Sequence, residues 1–79
     1  MDNYNYSSLD NLPVGESATV SSLISNGNER RRMMDLGLIS GTKISAVQKS
    51  PAGDLVAYFF RGTVIALRYS DAKKIIIRH

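Results

Sequence analysis

One short run, residues 26–42, combines a helix start, a helix end and a tight turn. Asn26 is a favoured residue for capping the first turn of a helix, and Glu29 follows three residues later, as in a capping box. Gly37 is suited to the left-handed conformation that ends many helices. The pattern therefore predicts one short helix over residues 29–36, closely followed by a turn.

The rest of the chain is dominated by short apolar segments that are typical of strands. Turn signals separate them, including the run 51–54 and Gly62. The predicted strands cover residues 18–24, 42–49, 55–60, 64–69 and 75–77. A single helical turn capped by Ser70 is predicted before the last strand. Five such strands favour a mainly β fold closed into a small barrel, with the short helix between the first two strands.

Strand alternation divides the apolar residues between two faces of the predicted sheet. The inward-facing set is Val56, Tyr58, Phe60, Ile65, Leu67, Ile75 and Ile77. Phe59, Val64 and Ile76 then point outward, and three such residues on adjacent strands would form an apolar patch for a partner. Leu38 and Ile39 follow the helix, where they either cover the barrel end or anchor a partner. We predict partner contact at these five residues.

The predicted helix carries three consecutive arginines, residues 30–32. Successive helix residues are rotated by about 100°, so the three side chains spread around the helix and do not form one basic face. Arg31 and Arg32 are spaced to reach Asp35. The spacing of Met33, Met34 and Leu36 predicts that they form the buried face of the helix. These patterns make nucleic-acid binding the weaker interpretation of the net charge of +3.

The residue types that catalysis needs are scarce. The chain has no cysteine, and its one histidine is residue 79. The acidic residues considered as ligands are scattered singly, at Glu16, Glu29, Asp35, Asp54 and Asp71. No two carboxylates are placed for acid–base chemistry, and no group matches the histidine and carboxylate ligands that ferrous iron favours. We expect no enzyme activity and no metal site within one chain. A weak metal site formed by carboxylates, or a metal site shared across an interface, remains an alternative.

Length and composition fit one small globular domain. The chain has 79 residues, of which 43% are hydrophobic. No apolar run approaches the roughly 20 residues that span a bilayer. Residues 1–8 lack the features of a secretory signal and are predicted to be a flexible tail ahead of a domain over residues 9–79. The lack of cysteine fits a reducing cytoplasm.

Several separated motifs occur in a familiar order and spacing. They are Leu36-Gly37-Leu38, Gly41-Thr42, Ala52-Gly53-Asp54, Arg61-Gly62, Ala66-Leu67-Arg68 and Asp71-Ala72. With these motifs the stretch 9–77 resembles the FeoA family, small cytoplasmic proteins of bacterial ferrous iron uptake that have an SH3-like barrel. A related SH3-like domain ends the DtxR-type repressors. One departure is Ser40, where the family usually has a proline that stiffens the turn.

The resemblance implies a docking role. FeoA-like proteins act on the cytoplasmic side of FeoB, a membrane transporter with a GTPase domain that carries ferrous iron inward. The implied partner is thus a FeoB-like transporter, and the implied location is the cytoplasm, at the inner face of the membrane through that partner and without direct insertion. No cofactor is expected beyond the iron that the resemblance implies. Two alternatives stay open: a small basic barrel that binds nucleic acid, and a non-catalytic regulatory module that binds a transition metal ion.

Overall fold

The computed structural model describes residues 5–79, in which six strands form one antiparallel sheet. The strands are β1 (Tyr6–Ser8), β2 (Ser17–Leu23), β3 (Lys43–Lys49), β4 (Leu55–Phe60), β5 (Thr63–Arg68) and β6 (Ile75–Arg78). The helices are a 3-10 turn (Leu9–Asn11), α1 (Gly27–Asp35) and α2 (Tyr69–Ala72). The strand order is β1-β6-β2-β3-β4-β5, so β1 and β5 are the edges. The mainly β class with one short helix early in the sheet confirms the predicted fold class.

The sheet has six strands instead of the predicted five because part of the predicted tail pairs with the last strand. In β1, Tyr6 lies opposite Arg78 and Ser8 lies opposite Ile76. The prediction of a flexible tail is therefore wrong for residues 6–8, while residues 1–4 lie outside the described part of the chain. The β1 residues show no apolar alternation, so their pairing with β6 is not indicated by the local sequence.

Helix α1 starts two residues earlier than predicted. Asn26 is its N-cap, as expected, but the Asn26 side chain makes no capping hydrogen bond. The predicted capping box is also absent, because the Glu29 carboxylate instead pairs with Lys74 across a Nζ–Oε1 distance of 2.7 Å. In α2, Ser70 is not the cap as predicted, because the helix already begins at Tyr69. The helices thus begin within two residues of the positions that the local sequence predicts. The partner of the Glu29 carboxylate, in contrast, is Lys74, which is distant in sequence.

The end of α1 follows the predicted geometry. Gly37 has a φ of 103°, and the Leu38 N–H donates to the Met33 carbonyl oxygen over 3.1 Å, the long bond of a Schellman motif. Met33 and Leu38 are both fully buried. Met34 and Leu36 are 43% and 37% exposed, so the predicted buried helix face is wrong for these two residues. Helix α1 therefore contributes Met33 to the core, while Met34 stays exposed.

The core confirms the predicted inward-facing set. Six of its members are buried, namely Val56, Tyr58, Phe60, Leu67, Ile75 and Ile77, and Ile65 packs against them partly buried. The 3-10 turn adds Leu9 to this core. The Tyr58 hydroxyl is buried and donates to the Leu9 carbonyl oxygen over 3.4 Å. Burial, with smaller contributions from nearby Tyr69 and Asp10, raises the pKa of Tyr58 to about 12.

Two irregularities bend the sheet. The β2–β6 register shifts between Val20 and Ser22, and the β3–β4 register shifts between Ala46 and Gln48. An extra residue in one strand of an antiparallel pair increases the local twist. The second shift leaves Val47 at the surface, 46% exposed. The strand order places the β4–β5 hairpin at one edge of this sheet.

Candidate docking surface

The β4–β5 hairpin carries an exposed apolar pair on its outer face. A two-residue turn, Arg61-Gly62, joins the strands, and both residues have positive φ angles of 52° and 80°. Phe59 and Val64 lie directly opposite each other in the register. Their side chains are 46% and 55% exposed, although the neighbouring side chains of β4 on the opposite face are buried. Paired strands hold both apolar groups in fixed positions, which suits recognition of a partner.

A shallow depression lies beside the tip of this hairpin. Its volume is about 420 Å3, and it is lined by Ile39, Ser40, Gly41, Thr42, Lys43 and Arg61. The β3–β4 register places Ser45 opposite Phe59, and continuing it by two residues along each strand brings Lys43 level with Arg61. We call the set Ile39, Lys43, Phe59, Arg61 and Val64 the hairpin surface. It combines exposed apolar side chains with two cations at one end of the molecule.

The charge of the hairpin surface has one sign. None of the residues lining the depression is acidic. Neither Lys43 nor Arg61 is paired with a carboxylate among residues 5–79. Cations next to apolar groups favour a partner face that carries acidic side chains, because complementary charge guides the encounter and fixes its orientation.

Three of the five predicted contact residues lie on the hairpin surface, and two do not. Ile39, Phe59 and Val64 are exposed there. Leu38 is fully buried, because the turn that ends α1 directs its side chain into the core, so its predicted contact role is wrong. Ile76 is half-buried on β6, which lies between β1 and β2 and is separated from β4 by two strands. The predicted patch of adjacent strands therefore does not include Ile76.

Sequence reasoning missed the two cations of the hairpin surface. Lys43 and Arg61 are far apart in the chain and lie in no basic run. Their proximity follows from the β3–β4 pairing, which the sequence indicates only as two separate strands. A register based on the outward residues Ser45 and Phe59 would have brought the two charges together.

The arginine triplet does not form a basic face, as helical spacing predicts. The Arg30 Nη1 group donates to the Leu23 carbonyl oxygen over 3.2 Å, whereas Arg32 lines a groove between α1 and β5. The predicted ion pairs of Arg31 and Arg32 with Asp35 do not occur in the described chain. The triplet thus offers no concentrated site for a phosphate backbone.

The part of the chain from residue 5 onward contains no group of three histidine, cysteine or acidic residues placed to hold a metal ion. None of the helices in the same part has the length and apolar character needed to cross a bilayer.

Comparison with known proteins identifies the family. The model of the FeoA domain matches residues 7–79. A curated relative from Porphyromonas gingivalis, a fusion of Fe(2+) transport protein A with the Fe(2+) transporter FeoB, is 33% identical over 67 residues. That match covers 85% of this chain, and the chain spans only 8% of the length of the relative.

Solved structures agree with this assignment. The solution structure of a FeoA-like protein from Clostridium acetobutylicum gives a TM-score of 0.84 at 32% identity, covering 91% of this chain and 84% of that one. A zinc complex of FeoA from Stenotrophomonas maltophilia, described as an SH3 domain protein, gives 0.78 at 32% identity, with coverage of 89% and 87%.

A manganese-dependent transcriptional repressor shares the fold, with a TM-score of 0.83 at 12% identity over 98% of this chain and 43% of that chain. This likeness confirms the structural link to metal-dependent repressors, and at such low identity it concerns the fold alone. The family model and the relatives above 30% identity agree over almost the whole chain. This chain is therefore a member of the FeoA family.

Proposed function

We propose that this protein is a cytoplasmic accessory of ferrous iron uptake. It docks on the cytoplasmic part of FeoB, the membrane transporter with a GTPase domain, and modulates its transport or GTPase activity by contact. Ferrous iron is the substrate of the transporter in this scheme. The protein performs no reaction of its own and reaches the membrane only through its partner.

The hairpin surface is the observation that carries this proposal. Phe59 and Val64 present apolar area on paired strands, Ile39 extends it at the tip, and Lys43 and Arg61 add positive charge. Apolar anchors on a rigid element surrounded by polar groups are typical of protein–protein contacts. The hairpin surface includes no carboxylate and no histidine.

The relative from Porphyromonas gingivalis supports the choice of partner. In that protein, transport protein A and FeoB are parts of one fusion protein. A covalent connection keeps two domains at high effective concentration, which favours a contact that is weak between separate chains. We extend this association to the present chain as a contact between separate proteins.

Co-purification with FeoB from the native membrane tests the proposal. The variants Phe59→Ser and Val64→Ser remove exposed apolar area and are expected to lose most of the retained FeoB. Val14→Ser is the matched control, since Val14 is 51% exposed but lies at another turn, beside the 3-10 helix. Loss of FeoB with the control, or full retention with both hairpin variants, would argue against docking through this surface.

Salt dependence separates this function from nucleic-acid binding. Binding through several phosphate contacts weakens steeply and linearly with the logarithm of salt concentration, whereas docking through apolar area with two cations has a much shallower dependence on salt. A steep slope with a DNA or RNA oligonucleotide, combined with no retention of FeoB, would favour the nucleic-acid alternative. Anaerobic titration with ferrous ion tests the regulatory metal alternative through saturable shifts at one carboxylate cluster.

A further inference from the structure

Arg61 occupies an unfavourable backbone conformation. Among residues 5–79 it is the one non-glycine residue with a positive φ, at 52°. Together with Gly62 it forms a turn in which both central residues are left-handed, a geometry that normally selects asparagine or aspartate followed by glycine. An arginine is strained there because its Cβ crowds the following carbonyl oxygen. Strain retained at a single turn residue points to a role for its side chain.

The side chain of Arg61 lies across Gly37, the residue that ends α1. A Cβ built on Gly37 would collide with Cδ of Arg61 and would lie 3.1 Å from its Nε. Gly37 therefore provides both the left-handed backbone and the space for the arginine stem. A stem packed against backbone has already lost part of its rotamer freedom, so less entropy is lost when its guanidinium binds a ligand.

The guanidinium of Arg61 has no acidic partner in the described chain. It lines the tip depression together with Ile39 and Lys43, and the residue is exposed. A planar guanidinium held in one orientation presents two parallel N–H donors, which match the two oxygens of a carboxylate. The exposed pair Phe59 and Val64 lies on the same hairpin, next to this group.

We propose that Arg61 determines the specificity of docking by binding one carboxylate of an acidic segment of the partner protein. The guanidinium donates two parallel hydrogen bonds to the carboxylate, and Phe59 and Val64 cover a large apolar side chain beside it. Lys43 attracts the acidic segment without fixing its geometry. The inference rests on the proposed function and deepens it, since it states the chemistry that the partner brings: an aspartate or glutamate adjacent to an apolar residue.

A nucleic-acid backbone fits the same surface less well. Arg61 and Lys43 supply two charges, fewer than the about six to ten phosphate contacts that give strongly salt-dependent binding to nucleic acid. Much of the remaining hairpin surface is contributed by the apolar side chains of Ile39, Phe59 and Val64. One carboxylate next to one apolar side chain satisfies both features.

The main test measures the affinity of the full chain for detergent-solubilised, full-length FeoB by calorimetry. Arg61→Gln removes the charge, and Arg61→Lys keeps the charge but lacks the planar pair of donors. Both variants are expected to weaken binding at least about tenfold, as for loss of a charge-assisted hydrogen bond. Arg68→Lys and Arg68→Gln are matched controls, because Arg68 is exposed at the opposite end of β5, and both are expected to bind like the wild type.

The outcomes separate this inference from the proposed function. Wild-type affinity in Arg61→Lys would overturn the role of the planar guanidinium and leave docking on FeoB intact. Equal losses in the Arg61 and Arg68 variants would overturn it as well, since charge alone would then explain binding. Failure of the wild type to bind FeoB would reject the proposed function. The carboxylate site would then be tested on the protein without FeoB.

Titration of the protein alone with sodium acetate tests whether Arg61 binds a carboxylate. The Nε–H resonance of Arg61 is expected to shift saturably, together with the backbone amides of Ile39 and Lys43, and to a greater extent than with sodium chloride of equal ionic strength. Equal responses to the two salts would overturn the site. A single-stranded DNA oligonucleotide that binds with a steep salt slope and is lost in Arg61→Gln would overturn it in favour of nucleic acid.

Gly37→Ala tests whether the packing of Arg61 positions its guanidinium. The new methyl group displaces the arginine stem, so binding to FeoB is expected to weaken even though Arg61 is retained. Gly53→Ala is the control, because Gly53 also has a positive φ, 78°, but a Cβ there would have no neighbour within 4 Å. Equal affinities of these two glycine variants, each confirmed as folded by its NMR spectrum, would contradict the positioning role.

Discussion

The outer faces of β4 and β6 look alike in sequence and differ in the folded protein. Both strands alternate buried residues with apolar residues that point the other way, Phe59 in β4 and Ile76 in β6. Phe59 is 46% exposed, whereas Ile76 is half-buried. Pairing within the sheet does not explain the difference, because β4 lies between β3 and β5 just as β6 lies between β1 and β2. Phe59 differs in lying next to the turn of the β4–β5 hairpin, opposite the exposed Val64.

This contrast shows that strand alternation assigns a face to a residue but does not assign its exposure. An outward residue becomes part of a docking surface only where neighbouring elements leave it open. At the β4–β5 hairpin they do, and the exposed pair of Phe59 and Val64 results. We therefore expect the two faces of this hairpin, and the outer faces of its strands and of β6, to contribute differently to the free energy of unfolding and to partner binding.

The largest expected effect separates the inner and outer faces of β4. Phe60 is 1% exposed and Phe59 is 46% exposed. Phe60→Ala leaves a cavity in the core and is expected to lower the free energy of unfolding by about 3–5 kcal/mol. Phe59→Ala is expected to change it by no more than about 0.5–1 kcal/mol. Urea denaturation measures both, and similar losses would mean that the outer face also supports the fold.

The next effect concerns Tyr58, the inner-face neighbour of Phe59. Burial raises the pKa of Tyr58 from 10.0 to about 12, so the folded state holds this proton more tightly than the unfolded chain. The corresponding stability is full below about pH 10 and is lost as the pH rises towards about 12. The two-unit difference corresponds to about 2–3 kcal/mol.

Urea denaturation of the wild type and of Tyr58→Phe at increasing alkaline pH measures this loss. The variant cannot ionise at this position, so its stability is expected to fall less steeply. Parallel curves for the two proteins would show that the phenol is accessible in the folded state, contrary to its 1% exposure.

A smaller effect distinguishes the outer faces of β6 and β5. Ile76→Ser is expected to destabilise the protein by about 1–2 kcal/mol, because part of this side chain is buried between neighbouring strands. Val64→Ser is expected to stay within about 0.5 kcal/mol and to affect partner binding instead. Thermal unfolding and co-purification with FeoB together test this division. Loss of binding in a stably folded Ile76→Ser protein would return Ile76 to the docking surface.

The smallest effect is expected for the ion pair that links α1 to the segment before β6. The Glu29 and Lys74 side chains are 35% and 44% exposed, so solvent screens their attraction. A double-mutant cycle with Glu29→Ala and Lys74→Ala is expected to give a coupling of about 0.2–1 kcal/mol, and less at high salt. A coupling above this range would indicate that α1 depends on the pair for its position.

The parts of the fold that were predictable are those set by neighbouring residues in the chain. The β4–β5 hairpin has strong alternation around one turn, and Gly37 ends α1 as expected. Strand β1 was not predictable, because its polar residues are ordered by backbone pairing with β6 from the far end of the chain. The capping box failed for a related reason: a distant lysine, Lys74, takes the Glu29 carboxylate.

The candidate site was predictable only in its apolar part. Ile39, Phe59 and Val64 were identified from alternation and from the position after the helix. The sequence does offer a signal that separates Leu38 from Ile39, because the residue after a helix-ending glycine commonly packs against the last turn of the helix, and Leu38 is buried as that rule predicts. The contact between Arg61 and Gly37 joins two segments that are distant in sequence, so no local pattern indicates it.

Backbone hydrogen bonds between Asn5 and His79, both 2.9 Å long, hold the two described chain ends side by side. Closing so large a loop costs more chain entropy than closing the two-residue turn of the β4–β5 hairpin. We therefore expect the hairpin to form early in folding and the pairing of the ends to form last. Pulse-labelling hydrogen exchange would reveal this order as early protection of the β4 amides and late protection of those in β1. The part of the molecule proposed for partner contact would then be assembled before the remaining strands have paired.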